Sequence, residues 1–266
     1  MLLGIDHLVL ATEDLDAVAA DLEKRLGLAA SAGGRHEALG TVNRLIWLGD
    51  SYLELVAVFD PELADRSWLG RPVLASLERG GGLVTWAIAV SDLDDAMRWA
   101  PPDADLEGPF DGERRRDDGR VVRWRLARPA AVSPTAPFLI EHDVTGAEWT
   151  PAERDARRDD RHPLGGHARL AGLEVETPSP AVAAGRIRSL LAASVEPAGR
   201  AAVRVRLGLQ EAQFALARPR SPALVDVLAD VPLRTRTARV GDCEIRLRGL
   251  PAAPVAGPHP EDARGV

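Results

Sequence analysis

IDHLVLATEDLD, residues 5–16, decides the fold, because its pattern returns further along the chain. Ile5, His7 and Val9 alternate with Leu8 and Leu10, the period-two signature of a strand with two faces. Asp14 then stands where a helix N-cap is expected, and Leu15, Val18, Leu22 and Leu26 follow at helical spacing. The order recurs in TWAIAVSDLDDA, residues 85–96, where Asp92 follows Asp14 by 78 residues. A period that long exceeds a solenoid unit and points to a duplicated half-domain.

Working outward, Gly27 marks a helix stop, and residues 43–48 and 52–58 read as strands joined by a Gly49-Asp50 turn. The first module is therefore β-α-β-β-β and occupies residues 1–79. Residues 80–145 repeat the plan, with strands expected at 83–90, 106–116, 121–126 and 138–143 and a helix stopped by Pro101-Pro102. Gly80-Gly81-Gly82 precedes a strand instead of opening a helix after one, so it joins modules and is no phosphate loop. A polar Arg/Asp-rich linker fills 146–169, a third, degenerate βαβ-type module 170–250, and 251–266 reads as a disordered tail. The expected fold is α+β, with tandem βαβββ modules forming a cupped mixed sheet. Pairing within one chain and pairing across a homodimer are both compatible with the sequence.

A formal charge of −7 argues against nucleic acid as a partner, which would call for a basic face. Hydrophobic content of 45% and charged content of 27% fit a globular protein with a real core. Cys243 is the lone cysteine, so no disulfide framework or cysteine metal site is expected. Asp6 and His7 interrupt the N-terminus too early for a signal peptide, and no apolar run nears the ~20 residues that span a bilayer. The expectation is a cytoplasmic protein with a small-molecule substrate and no membrane partner.

These modules, with an early strand histidine and strand glutamates, resemble the vicinal oxygen chelate superfamily. IDHLVLATEDLD, GGRHEALGTVNRLIWLGDSYLELVAV and GGLVTWAIAVSDLD look more narrowly like its glyoxalase-like domain family. The resemblance implies a cup holding a divalent metal (Fe, Mn, Ni, Zn or Mg), with ligands from the first and fourth strands of each module. Carried onto this chain, those positions are His7, Glu54 and Glu141, with FLIEHDV aligned on YLELVAV. The fourth position falls on Thr85, a departure, because threonine is a poor ligand beside imidazole or carboxylate.

Alternation alone assigns His7, Glu54 and Glu141 to the face away from the helices, where a charge must be wet or paired. It sends His142 to the other face, so His142 is rejected as a ligand. A lone strand histidine is more often a hydrogen-bonded polar residue than a ligand, and that alternative stands beside the metal set. The resemblance implies that the segment of His36, with Arg35, Thr41 and Asn43, borders the cup, where His36 suits proton transfer or substrate contact; a solvated loop histidine competes equally. In VVRWRLA, Val122, Trp124 and Leu126 take the apolar face, leaving Arg123 and Arg125 to line the cup and bind a substrate carboxylate or phosphate. Salt bridging to Glu54, Glu141 or Glu113 competes with that role. His162 and His167 read as surface residues of the linker.

The leading expectation is a metal-dependent lyase, isomerase or epimerase working through an enolate, with His36 or Glu141 handling the proton. Asn43, Trp47, Thr85, Arg123 and Arg125 would contact substrate. The alternative is a metal-free binder of the bleomycin-resistance type, its cup lined by Trp47 and Trp86.

Overall fold

The computed structural model describes residues 2–101, 104–191, 194–199, 201–216 and 223–250, so the tail expected at 251–266 lies outside the described residues. The first repeat holds β1 (Leu2–Ala11), α1 (Leu15–Leu26), β2 (Ser31–His36), β3 (Thr41–Leu48) and β4 (Ser51–Val58). Asp14 caps α1 by accepting the Ala17 N–H at 2.9 Å, which satisfies one of the orphan donors of the first turn. Gly27 ends the helix in the left-handed region, at φ 74°, where a side chain would be strained. α2 (Pro61–Arg66) and α3 (Gly70–Leu77) connect to the second repeat: β5 (Gly82–Val90), α4 (Leu93–Trp99), β6 (Leu106–Arg116), β7 (Val121–Pro129) and β8 (Phe138–His142). Asp92 caps α4 through the Asp95 N–H at 2.8 Å, the echo of Asp14.

The two repeats pair within one chain. Strand β1 lies between β4, parallel, and β5, antiparallel, and the eight strands run β1-β4-β3-β2-β6-β7-β8-β5 around a closed barrel. A short β2–β6 pairing, Gly34 with Arg116 and Arg35 with Arg115, closes the ring. The cup is thus a barrel interior, walled round by its own sheet.

Helix α5 (Pro151–Asp159) follows, and then β9 (Ala168–Thr177), α6 (Pro180–Leu191), β10 (Val195–Pro197), β11 (Ala202–Leu207), β12 (Gln210–Leu216), β13 (Leu224–Pro232), β14 (Arg236–Val240) and β15 (Cys243–Leu250). The strands β9–β15 form a seven-stranded sheet in the order β10-β11-β12-β9-β13-β15-β14. That is the barrel order β2-β3-β4-β1-β5-β8-β7 repeated with one strand fewer, so this second sheet stays open. Its apolar side, including Leu173, Val175, Phe214, Val227 and Ile245, packs with Leu8, Leu10, Leu53, Leu55, Trp86 and Ile88 from the outside of the barrel into one core with α1 and α6. Burying both apolar faces against each other is what holds the two sheets together. Among the described residues no helix is long and apolar enough to cross a membrane.

Candidate functional site inside the barrel

With Leu8 and Leu10 committed to the outer core, His7 and Val9 turn inward. Strand β1 is not a regular strand there: its register against β5 shifts between Ile5 and His7. Such a bulge re-aims consecutive side chains, and here it leaves Asp6 and His7 both buried and in contact. The bulge is braced from outside. The Ile5 N–H donates to Gln210 Oε1 at 2.6 Å and its carbonyl accepts from Ser51 Oγ at 2.7 Å. The second sheet, through Gln210 of β12, therefore helps set the geometry of β1.

Asp6 and His7 begin a chain of six polar side chains inside the barrel. Asp6 Oδ1 lies 2.6 Å from His7 Nδ1, and Asp6 Oδ2 lies 2.9 Å from His142 Nε2. His7 Nε2 faces Glu54 Oε2 at 3.6 Å, and His36 Nε2 faces Glu54 Oε1 at 3.7 Å. His36 Nδ1 is 3.0 Å from Thr41 Oγ1. Burial by itself would raise the Asp6 pKa, but the His142 charge and the hydrogen bonds from His142 and His7 hold it well below the usual carboxylate range. Burial pushes His36 down to about 4, against the opposing pull of Glu54, so its imidazole is neutral near pH 7.

Asn43 fixes the carboxylate of Glu54. Its Nδ2 donates to Glu54 Oε1 at 2.5 Å while its Oδ1 accepts the Gly34 N–H at 2.8 Å, which settles the orientation of the amide. The GG pair of β2 makes this possible. A Cβ at Gly33 would collide with the Asn43 backbone and amide oxygen, and the β2–β3 register shifts at that point.

Around these groups the barrel is aromatic. Tyr52 stacks on His7 with centroids 4.6 Å apart, Phe138 meets His7 edge-on at 5.5 Å, and Trp124 meets His36 edge-on at 5.9 Å. Burial raises the Tyr52 pKa well above its ordinary value, so the phenol stays protonated. A cavity of about 40 Å³ lies among His7, His36, Tyr52, Glu54, Trp124 and Arg114. The Arg114 guanidinium is buried, paired with Glu148 at 2.6 Å, and its Nη1 is buried without a hydrogen-bond partner. Leu39, Trp68, Trp124, Leu126 and His142 border both this cavity and a groove of about 1020 Å³ that opens outside.

Several expected positions differ. His7, His36, Asn43 and Glu54 meet in the interior, but Glu141 does not join them. Phe138 and Ile140 pack inside the barrel with Leu126 and Ala87, so β8 presents Phe138, Ile140 and His142 inward and Glu141 outward. Glu141 Oε2 instead sits 3.4 Å from the Leu93 N–H at the start of α4 and 3.4 Å from Arg125 Nη1. The same inversion governs β7. Val122, Trp124 and Leu126 line the interior, while Arg125 reaches Asp94 of α4 at 2.7 Å and Arg123 reaches Glu113 at 3.5 Å on the outside. The physical reason is the closure of the sheet. A closed interior is dry and takes the apolar face, while the seven-residue α4 covers little of the outer face and leaves it to charges.

Thr85 is fully buried opposite Val9, its Oγ1 without a partner. Trp86 belongs to the outer core, donating its indole N–H to the Pro134 carbonyl at 2.9 Å. Trp47 packs on Tyr52 at 4.9 Å and on Trp149 at 6.0 Å, outside the inner cavity. Asp6, Arg114 and His142 are the interior residues that sequence reasoning missed. For Asp6 the signal was its place beside His7, which strict alternation discards.

These positions do not reproduce a metal set drawn from both modules. His7 and Glu54 come from β1 and β4 of the first module, and the second-module positions beside them are apolar: Ala87 of β5, the register partner of His7, and Phe138 and Ile140 of β8. Among the described residues no group of three or more His, Cys, Asp or Glu side chains is arranged to hold an ion.

A family profile described as a glyoxalase-like domain matches residues 5–191. No curated protein matches the chain. Among solved structures, a hypothetical protein from Staphylococcus aureus aligns over 92% of this chain and 99% of its own, at 13% identity and a TM-score of 0.75, a likeness of fold. Streptomyces coelicolor methylmalonyl-CoA epimerase in complex with 2-nitronate-propionyl-CoA aligns over 54% of this chain and 99% of its own, at 22% identity and a TM-score of 0.40. A hypothetical protein from Bacillus halodurans aligns over 52% of this chain and 91% of its own, at 16% identity and a TM-score of 0.37.

Proposed function

The chain belongs to the glyoxalase-like domain family of the vicinal oxygen chelate superfamily, and from the chemistry of its barrel we propose an isomerase- or lyase-type enzyme that moves a proton beside a carbonyl. The observation that carries this is the pairing of His7 with Glu54. His7 Nδ1 lies 2.6 Å from Asp6 Oδ1, which leaves Nε2 to face the Glu54 carboxylate across 3.6 Å. An imidazole and a carboxylate brought together in a buried site are a pairing suited to acid–base chemistry.

Each residue has a place in the step. His7 Nε2 takes the proton from the carbon next to the carbonyl, and Glu54 stabilises the imidazolium that forms. The electron pair moves onto the carbonyl oxygen, and Arg114, which lines the cavity with its Nη1 unpartnered, is the donor assigned to the developing enolate. Asp6 keeps the His7 tautomer, and Asn43 keeps the Glu54 carboxylate aimed. Return of the proton to the opposite face of that carbon, or to the neighbouring carbon, completes an isomerisation; departure of a leaving group with its electron pair from the carbon beyond makes the reaction a lyase. No step is routed through a metal ion, because the second-module positions beside His7 and Glu54, Ala87, Phe138 and Ile140, offer no ligand.

The substrate end must be small, since the inner cavity is about 40 Å³; the remainder would lie in the outer groove beneath Arg128 and Trp68. The test is deuterium wash-in. Carboxylated ketones and thioesters incubated with the protein in D₂O should gain deuterium next to the carbonyl, and a folded Glu54→Gln variant should not catalyse it. Binding of such compounds with no exchange for any of them would overturn the enzyme and leave a sequestering protein.

A further inference from the structure

A second cavity lies outside the barrel, at the junction of its β2–β3 end, the row of arginines on and after α5, and the ends of β9, β13 and β15. It has a volume of about 480 Å³, within the range of small-molecule sites. Its apolar floor is Ala29, Ala30, Trp47, Leu228 and Ala229. Its rim is cationic in a chain whose formal charge is −7: Arg157, Arg158, Arg161 and Arg169 outnumber Asp160 and Asp230.

The hydrogen-bond accounting points to a ligand. Arg157 lies over the Trp47 ring at 4.1 Å and beside Trp149 at 5.2 Å, and its Nη1 donates to the Glu148 carbonyl. Its Nε and Nη2 are buried with no partner. Across the same cavity, His167 Nδ1 is held by Asp230 at 2.9 Å while its Nε2 is likewise buried and unpartnered. A buried donor left unpaired keeps its desolvation penalty, and a charged one keeps more. Arg158 is already spent on Asp50 and Asp155, whereas Arg161 and Arg169 make no ion pair among the described residues. His162 is structural, for it bridges the Ala29 N–H and the Trp47 carbonyl and fixes the floor.

We propose that this cavity is a binding site for a small organic oxyanion with an apolar body, its carboxylate or phosphate taken by Arg157 Nε and Nη2 and by His167 Nε2, its body lying on Trp47, Ala30 and Leu228. A planar guanidinium offering two parallel N–H groups suits either headgroup. The site is separate from the barrel interior, so it stands whether or not the proton-transfer reading does.

Calorimetric titration of the full chain with benzoate, phenyl phosphate and inorganic phosphate tests it. Benzoate or phenyl phosphate should bind, and the tighter of the two identifies the headgroup. Arg157→Met, which keeps the stem on Trp47, should weaken that binding roughly tenfold or more, the loss expected for a charge-assisted hydrogen bond. His167→Gln should weaken it less, and His7→Gln should leave it unchanged. A thermal melt matching that of the parent protein confirms that Arg157→Met still folds. No binding of either aromatic anion, binding equal to that of inorganic phosphate, or binding that survives Arg157→Met in a folded protein would each overturn the proposal.

Discussion

Asp6 and His7 are sequence neighbours whose side chains meet, Oδ1 to Nδ1 at 2.6 Å, inside a sheet whose alternation should separate them. The bulge at Ile5 and His7 permits this, and the second oxygen of Asp6 then reaches His142 across the barrel. One buried carboxylate thus orients two imidazoles. Removing it with Asp6→Ala should destabilise the fold by about 3–5 kcal/mol, the cost of breaking a buried charged network, measured by urea unfolding. Nitrogen-15 spectra should show His7 carrying its proton on Nδ1 in the parent protein and losing that preference in the variant.

His36 makes stability depend on pH. Its folded pKa of about 4 lies below the ordinary 6.5, so between those values the unfolded chain binds the extra proton. Its contribution is complete above pH 6.5 and is lost as pH falls toward 4, by up to about 3 kcal/mol. Asp6 acts only below that window, because its own pKa is depressed beneath 3.8. Urea midpoints taken from pH 7 to pH 4.5 should fall in the parent protein and flatten in His36→Asn.

Gly33 is required by the close approach of β2 to Asn43. Gly33→Ala should cost about 1–3 kcal/mol, as overpacking does, and should release the Asn43 amide from Glu54. A crystal structure of the variant would show Asn43 displaced; an unmoved amide would refute the role given to the glycine pair.

Glu141 and Arg125 form a partly exposed pair on the outer face, at 3.4 Å. Glu141→Gln should change stability by no more than about 1 kcal/mol, the range of surface ion pairs, with the interior unperturbed in aromatic proton spectra. His142→Ala, one residue on, should perturb both, since His142 stacks on Trp149 at 3.7 Å and holds Asp6.

That contrast shows where the sequence is legible. The repeat from Asp14 to Asp92 sets both helix caps and with them the tandem modules, because capping is local chemistry that needs no knowledge of the rest. His7, Asn43 and Glu54 could be placed together because α1 is twelve residues long and amphipathic, which tells the outer face of β1, β3 and β4 from the inner one. In the second module that reference is weak. VVRWRLA and FLIEH each have two faces, and choosing the inner one depends on whether the cup is open or closed. An open, wet cup would take Arg123, Arg125 and Glu141; the closed barrel takes Trp124, Ile140 and His142. Asp6 was hidden for another reason, since a bulge leaves no mark in a hydrophobic pattern.

The proposed proton transfer places His7 at the centre of the barrel interior. The most direct measurement is the rate of deuterium wash-in beside the carbonyl of a responsive substrate, compared across the parent protein, His7→Gln and Glu141→Gln, each shown to be folded. His7→Gln should lose about a hundredfold or more, as expected for removing a general base, and Glu141→Gln should keep the parent rate. Exchange that survives in His7→Gln and collapses in Glu141→Gln would contradict that placement.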